Sequence, residues 1–255
     1  FKHQALKSGK PKEVVISLEQ SPDSVSVYRT TLLPHGHPLE ALNRRYIERL
    51  IKFLLWQKGG WRIFIAGDKS VADYIRTVYS PAGDRAFDSE LVGGRVYGRS
   101  LLVKSCGLDV IPLSREPVVR LGRNLDGCRI GFDLGGSDRK CAALIDGKVV
   151  HSEEVAWDPY FQKDPRYHLA GINDSLKRAA ARLPRIDAIG GSAAGIYVDN
   201  EVRVASLFRG VPADIFDSRV RKMFLELKKI WRVPFEVVND GEVTALAGAM
   251  SLGEN

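Results

Sequence analysis

Gly131-Phe132-Asp133-Leu134-Gly135-Gly136-Ser137-Asp138-Arg139-Lys140 is the stretch on which the fold turns. An apolar run, Cys128–Leu134, delivers an acid into a Gly-Gly turn, and a second run, Lys140–Asp146, leaves it. Glycines in such a turn let the backbone come close to an anion and aim N–H groups at it. Asp133, at a strand end, suits a hydrated Mg²⁺, a hard cation that prefers carboxylate and water. Ser137 offers a hydroxyl to a phosphate oxygen, and Lys140 adds positive charge. A tight hairpin with a surface aspartate explains the same residues, so the segment alone leaves both readings open. It is not a P-loop, because no GxxxxGK[ST] is present.

Working outward, Lys148–Val155 reads as a third strand, joined to the second by an Asp146-Gly147 hairpin turn. Asp158–Arg166, with two prolines, reads as a loop. Leu169–Leu183 is expected to be a helix, with Leu176, Ala179, Ala180 and Leu183 on one face. Ile186–Gly190 is a strand. Ala213–Trp231 reads as one amphipathic helix, Phe235–Val238 as a strand and Gly241–Met250 as a small-residue helix. Alternating strands and helices favour a largely parallel, helix-covered sheet.

Two further segments carry candidate chemistry. Ile189-Gly190-Gly191-Ser192-Ala193-Ala194-Gly195 runs from a strand into a small-residue loop that allows close packing beside a ligand, or is an ordinary tight connection. Phe235-Glu236-Val237-Val238-Asn239-Asp240-Gly241 ends a strand and begins a helix. Asn239 or Asp240 can simply cap that helix. Asp240 is equally a candidate general base at a strand C-terminus, where open α/β sheets place ligands.

In this order the three segments resemble the ROK family of sugar kinases and sugar-responsive repressors, within the actin/hexokinase/Hsp70 superfamily. The family's DxGGTxxK phosphate motif is matched at Asp133, Gly135, Gly136 and Lys140, with Ser137 for Thr. Its G-x-G-x-x-G loop is loosely matched around Gly191 and Gly195, and its ENDANAA segment at Asn239 and Asp240. The resemblance spans residues of about 129–250. It implies an α/β, ribonuclease H-like (actin-like ATPase) lobe, with a mixed sheet and flanking helices.

The resemblance implies an ATP- and Mg²⁺-dependent phosphotransferase acting on a sugar. Asp240 is the expected catalytic base. Asn239, Gly195 and Ser206 are expected to contact the sugar. Gly135, Gly136, Ser137 and Lys140 are expected to bind phosphate, and Asp133 the metal. Sugar and nucleotide are the implied partners, in a cytoplasmic protein for which a homo-oligomer is an open option. The chain departs from the family at Val238 (Glu in the family), Glu242 (Asn), Gly248 (Glu) and Ser206 (Asn), and it lacks the zinc motif. The departures bear on hexose specificity and leave a non-catalytic sugar-binding module as an alternative. The family's second lobe, with the adenosine pocket, is expected beyond Asn255.

Residues 1–125 read as a separate mixed α/β unit, with a boundary near 125. Glu13–Glu19 and Val25–Leu32 are expected strands, Leu39–Lys58 a helix ended by Gly59-Gly60, and Trp61–Ala66 a buried strand. Lys69–Tyr79 reads as a helix capped by Asp68, and Leu91–Lys104 as strand-like pieces broken by Gly93-Gly94 and Gly98. Asp109–Asn124, with Pro112 and Pro117, reads as a connector. His35 and His37 could ligate a metal, but no third ligand is evident, so an exposed loop is favoured. The opening strands, where the family's repressors carry a helix-turn-helix, disfavour DNA.

The bulk composition excludes little more. The formal charge is +7, but the Lys and Arg are scattered, and Arg219, Arg221, Lys222, Lys228 and Lys229 read as the wet face of a helix. Three cysteines at wide spacing give neither a disulfide framework nor a zinc pattern. No run of 18 apolar residues favours a membrane span. The first residues, Phe1-Lys2-His3-Gln4, do not resemble a signal peptide.

Overall fold

The computed structural model describes residues 1–115 and 124–252. The chain divides into two compact units, Phe1–Val119 and Arg120–Asn255. Part of the expected Asp109–Asn124 connector, Pro117 included, lies outside the described residues.

The first unit opens with a short helix, α1 (Lys2–Lys7), rather than with a strand. The hairpin β1 (Lys12–Ser21) and β2 (Ser24–Leu32) follows, then α2 (Leu42–Lys58), β3 (Arg62–Ala66) and α3 (Lys69–Val78). Asp68 caps α3 by accepting the Val71 N–H at 3.1 Å, satisfying one of the free donors of the first turn. A short helix, α4 (Ala86–Asp88), runs into a wider π-helical turn, Ser89–Val96, before β4 (Leu102–Cys106). The sheet order is β2-β1-β3-β4, with β3 and β4 parallel and the other pairs antiparallel.

Residues 91–96 are therefore helical, against the strand expectation. A Cβ on Gly93 would lie 2.7 Å from both Arg99 O and Leu101 N. The glycine serves this close backbone approach and does not mark a strand break. Ile16, Leu18, Ile47, Ile51, Ile63, Ile65 and Ile75 form the core between sheet and helices. His35 and His37 lie in an exposed turn, where each bonds locally, to the Glu40 carboxylate and to the Leu39 N–H.

The second unit is built on β5 (Cys128–Leu134), β6 (Asp138–Ile145) and β7 (Lys148–Ala156), followed by α5 (Pro165–Ala180) and β8 (Ala188–Ala193). Next come the hairpin β9 (Ile196–Val198) and β10 (Glu201–Val204) and a 3₁₀ turn at Ser206–Phe208. The unit continues with α6 (Ala213–Ile215), α7 (Met223–Trp231), β11 (Phe235–Asn239) and α8 (Asp240–Ser251). The main sheet runs β11-β8-β5-β6-β7. β5, β6 and β7 form an antiparallel meander, while β8 and β11 add in parallel beside β5. This is a ribonuclease H-like arrangement, a mixed sheet and not a largely parallel one. The Asp146-Gly147 turn, with φ of 47° and 77°, enforces the antiparallel half.

Three expected elements have different bounds, each for a local reason. The helix α5 starts at Pro165, because Asp164 accepts the Arg166 N–H at 2.9 Å and proline is favoured at the first helical position. The segment Ala213–Trp231 is interrupted by a π-helical turn at Phe216–Val220 and ends at Arg232 in the left-handed region. The small-residue loop is mostly strand. A Cβ on Gly191 would lie 2.0 Å from the Phe132 ring, so this glycine seats an aromatic that also meets Phe224 and Phe235. No helix among the described residues is long and apolar enough to cross a membrane.

Candidate functional site

The register of the parallel strands places the three sequence segments together. Leu134 pairs with Ala193, and Ala193 pairs with Asn239. The residues that follow these three therefore leave the sheet at one edge, side by side, where open α/β sheets hold ligands. A cavity of about 470 Å³ lies there, and Asp133, Gly135, Gly136, Ser206 and Asp240 are all among its lining residues.

The Gly135-Gly136 turn is pinned from two sides. Gly135 N–H donates to Asp138 O at 2.9 Å, and the Trp157 indole donates to Gly135 O at 2.9 Å. Asp133, one residue before the strand end, accepts the Ser192 hydroxyl at 2.6 Å across the β5–β8 pair. Asp240 opens α8, with one carboxylate oxygen accepting the Gly241 N–H at 2.9 Å. The hydroxyl of Tyr197 is buried without a partner among the described residues, and burial, followed by the charge of Asp240, pushes this phenol upward.

The other four expected site residues, Ser137, Lys140, Asn239 and Gly195, are not among its lining residues. Ser137 and Lys140 both bind Asp138, Ser137 at 2.8 Å, and the Lys140 ammonium holds the Asp138 carboxyl below its usual range. Lys140 lines a neighbouring groove of about 550 Å³, shared with Asp133 and Ser192. Asn239 caps α8 through its Oδ1, 2.8 Å from Gly241 N, while its Nδ2 donates to Gly195 O at 2.7 Å. Gly195 thus contributes a carbonyl that orients Asn239, and the adjacent Ala194 lines the cavity. Among the described residues no cluster of three or more His, Cys, Asp or Glu could hold a metal ion.

Sequence reasoning did not single out four residues at this site: Ser192, Tyr160, Arg209 and His168. Tyr160 lines the cavity. His168 is fully buried, and its Nε2 lies 3.0 Å from both Pro159 O and Leu207 O. Both partners are acceptors, so Nε2 carries the proton and shares it between them. This ties the 157–162 loop to the Ser206–Phe208 turn, two walls of the cavity. Burial pushes the imidazole below the ordinary histidine range. The Asp164-Pro165 helix start, with His168 one turn in, is the sequence signal that points to it.

No protein-family model matches the sequence, and no curated protein sequence matches it. Among solved structures the chain is similar to the inorganic polyphosphate/ATP-glucomannokinase from Arthrobacter sp. strain KM, with a TM-score of 0.40 and 22% identity over 49% of this chain and 48% of that one. It is similar to a ROK hexokinase from Thermus thermophilus, with a TM-score of 0.36 and 17% identity over 48% and 37% of the two chains. A ROK family transcriptional regulator gives a TM-score of 0.39 and 17% identity over 71% and 40%. The chain spans less than half the length of each of these proteins.

Proposed function

We propose that the cavity at the ends of β5, β8 and β11 is the phosphoryl-transfer site of a Mg²⁺- and ATP-dependent sugar kinase. The observation that carries this reading is the convergence of Asp133 with the Gly135-Gly136 turn, Ser206 and Asp240 on one cavity from three separate chain segments. Phosphoryl transfer needs mainly positioning and charge neutralisation, with a carboxylate to orient the attacking hydroxyl.

In this reading Asp240 accepts the proton of a sugar hydroxyl as that oxygen attacks the terminal phosphate. Such general-base help is worth about 10²–10⁴ in rate. The Gly136 N–H, which has no hydrogen-bond partner among the described residues, is free to donate to a phosphate oxygen. Asn239 keeps one Nδ2 hydrogen and an Oδ1 lone pair for a sugar hydroxyl beyond its two internal bonds. Asp133, steadied by Ser192, would hold Mg²⁺. A lone carboxylate suits an ion that keeps several waters and shares substrate phosphates, and does not need an all-protein cage. The metal would supply neutralisation of the phosphate charge.

A non-catalytic sugar-binding module on the same scaffold is the second reading. It is favoured by the internal engagement of Asn239, Ser137 and Lys140. A hexose panel with and without Mg–ATP separates the two. The kinase reading expects sugar-dependent ADP release. A sugar-induced rise in melting temperature with no ADP release from any member of the panel supports the binding module and removes the kinase.

A further inference from the structure

Tyr160 sits where nothing in the sequence motifs would put an aromatic. A Cβ on Gly136 would lie 2.0 Å from the Tyr160 hydroxyl oxygen and 2.4 Å from its ring carbon. The phenol therefore rests directly on the glycine turn, and only glycine at 136 leaves room for it. The hydroxyl makes no hydrogen bond among the described residues, yet it lines the same cavity as Asp133, Gly135, Gly136 and Asp240.

The ring is held from outside. The Arg209 guanidinium stacks 3.9 Å from the Tyr160 ring centroid and 5.3 Å from that of Phe161. Arg209 makes no ion pair among the described residues, so this cation–π contact is its visible engagement. The backbone is fixed too. A Cβ on Gly210 would lie 2.9 Å from Tyr160 O, Phe161 C and Gln162 O. Gly210 thus lets the 160–162 loop press onto the turn that carries Arg209. The shared proton of His168 binds the same two segments one layer deeper.

A hydroxyl held in place by its ring, without a partner among the described residues and set against the Gly-Gly turn, is available to a ligand in the cavity. We propose that Tyr160 is a ligand-binding residue of this cavity, its phenol O–H donating to the phosphate group held over Gly135-Gly136, and that Arg209 is the positioning residue that keeps the ring on the turn. The inference rests on the phosphoryl-transfer reading of the site. It adds a side-chain donor beside the glycine N–H groups, on the turn itself. It also explains why a bulky residue at the cavity mouth coexists with a Gly-Gly turn that would otherwise lie open.

The test is a titration of the full chain with Mg–ATP, followed by the shift in melting temperature, for the parent, Tyr160→Phe, Arg209→Gln and Arg209→Lys. Tyr160→Phe keeps the ring and its stacking and removes only the O–H. Loss of a hydrogen bond to a charged group is expected to weaken Mg–ATP binding roughly ten- to hundredfold, with the unliganded melting temperature unchanged. Arg209→Gln is expected to weaken binding less, and Arg209→Lys, which keeps a cation over the ring, to restore part of it. A parent that binds Mg–ATP and a Tyr160→Phe variant that binds it equally overturn the assignment while leaving the phosphoryl-transfer reading intact. A full-length parent, with the second lobe expected beyond Asn255, that shows no response to Mg–ATP overturns both.

Discussion

Replacing His168 with leucine tests how the cavity walls are held. The side chain is fully buried, and its Nε2–H is shared between Pro159 O and Leu207 O at 3.0 Å each. Leucine fills much of the volume but donates nothing, so two buried carbonyls lose their partner. An unsatisfied buried acceptor costs about 1–3 kcal/mol. Removing the unpartnered Nδ1 returns a fraction of this. The expected net loss is about 2–4 kcal/mol, or roughly 10 °C in melting temperature for a unit of this size.

The effect should be local as well as global. Hydrogen exchange of the 206–210 backbone should accelerate more than that of β5. A second signature is the pH dependence. Burial puts the folded pKa of His168 below its unfolded value near 6.5. The folded state then binds fewer protons, so the neutral imidazole's contribution is complete above about pH 6.5 and is lost as the pH falls below it. The parent should lose stability in that window, and the leucine variant should lack this component. A melting temperature within 1 °C of the parent, with unchanged exchange at 206–210, would refute the clamp.

Two further substitutions probe the scaffold. Asn200 sits at φ 61° and bonds Phe235 O, Glu236 Oε2 and the Val237 N–H at 2.8–3.0 Å, tying the β9–β10 turn to β11. Asn200→Ala loses these bonds and places a less tolerant residue in the left-handed region, so urea unfolding should show a loss of about 3 kcal/mol; a loss under 1 would contradict this. Gly191→Ala drives a methyl into the Phe132 ring, and overpacking of this kind should cost about 1–3 kcal/mol, read as a lower melting temperature; an unchanged value would show that the aromatic cluster can shift aside.

Much of the second unit was legible in the sequence because its signals are local. The hairpin glycines, the apolar strands and the Asn-Asp-Gly helix start each announce themselves within ten residues. The register that joins Leu134, Ala193 and Asn239 is not local, yet it follows once the three parallel strands are recognised. What the sequence obscured depends on distant partners. Gly191 reads as a ligand loop until Phe132 is seen to occupy it. Gly93 reads as a strand break until the 99–101 backbone is seen against it. Ser137 and Lys140 carry the right chemistry for phosphate, but Asp138 lies between them and takes both. Tyr160 and Arg209 carry no motif, and only their packing on Gly136 and Gly210 reveals them.

The most direct test of the central claim is sugar-dependent ADP formation by the parent protein and by Asp240→Asn, with the melting temperatures of both. Asp240 lies on the cavity wall, and its replacement keeps the size and the helix-start hydrogen bonding of the side chain. The phosphoryl-transfer account expects ADP formation by the parent to fall by about 10² or more in the variant, with melting unchanged. ADP formation by the variant at the parent's rate would contradict the account.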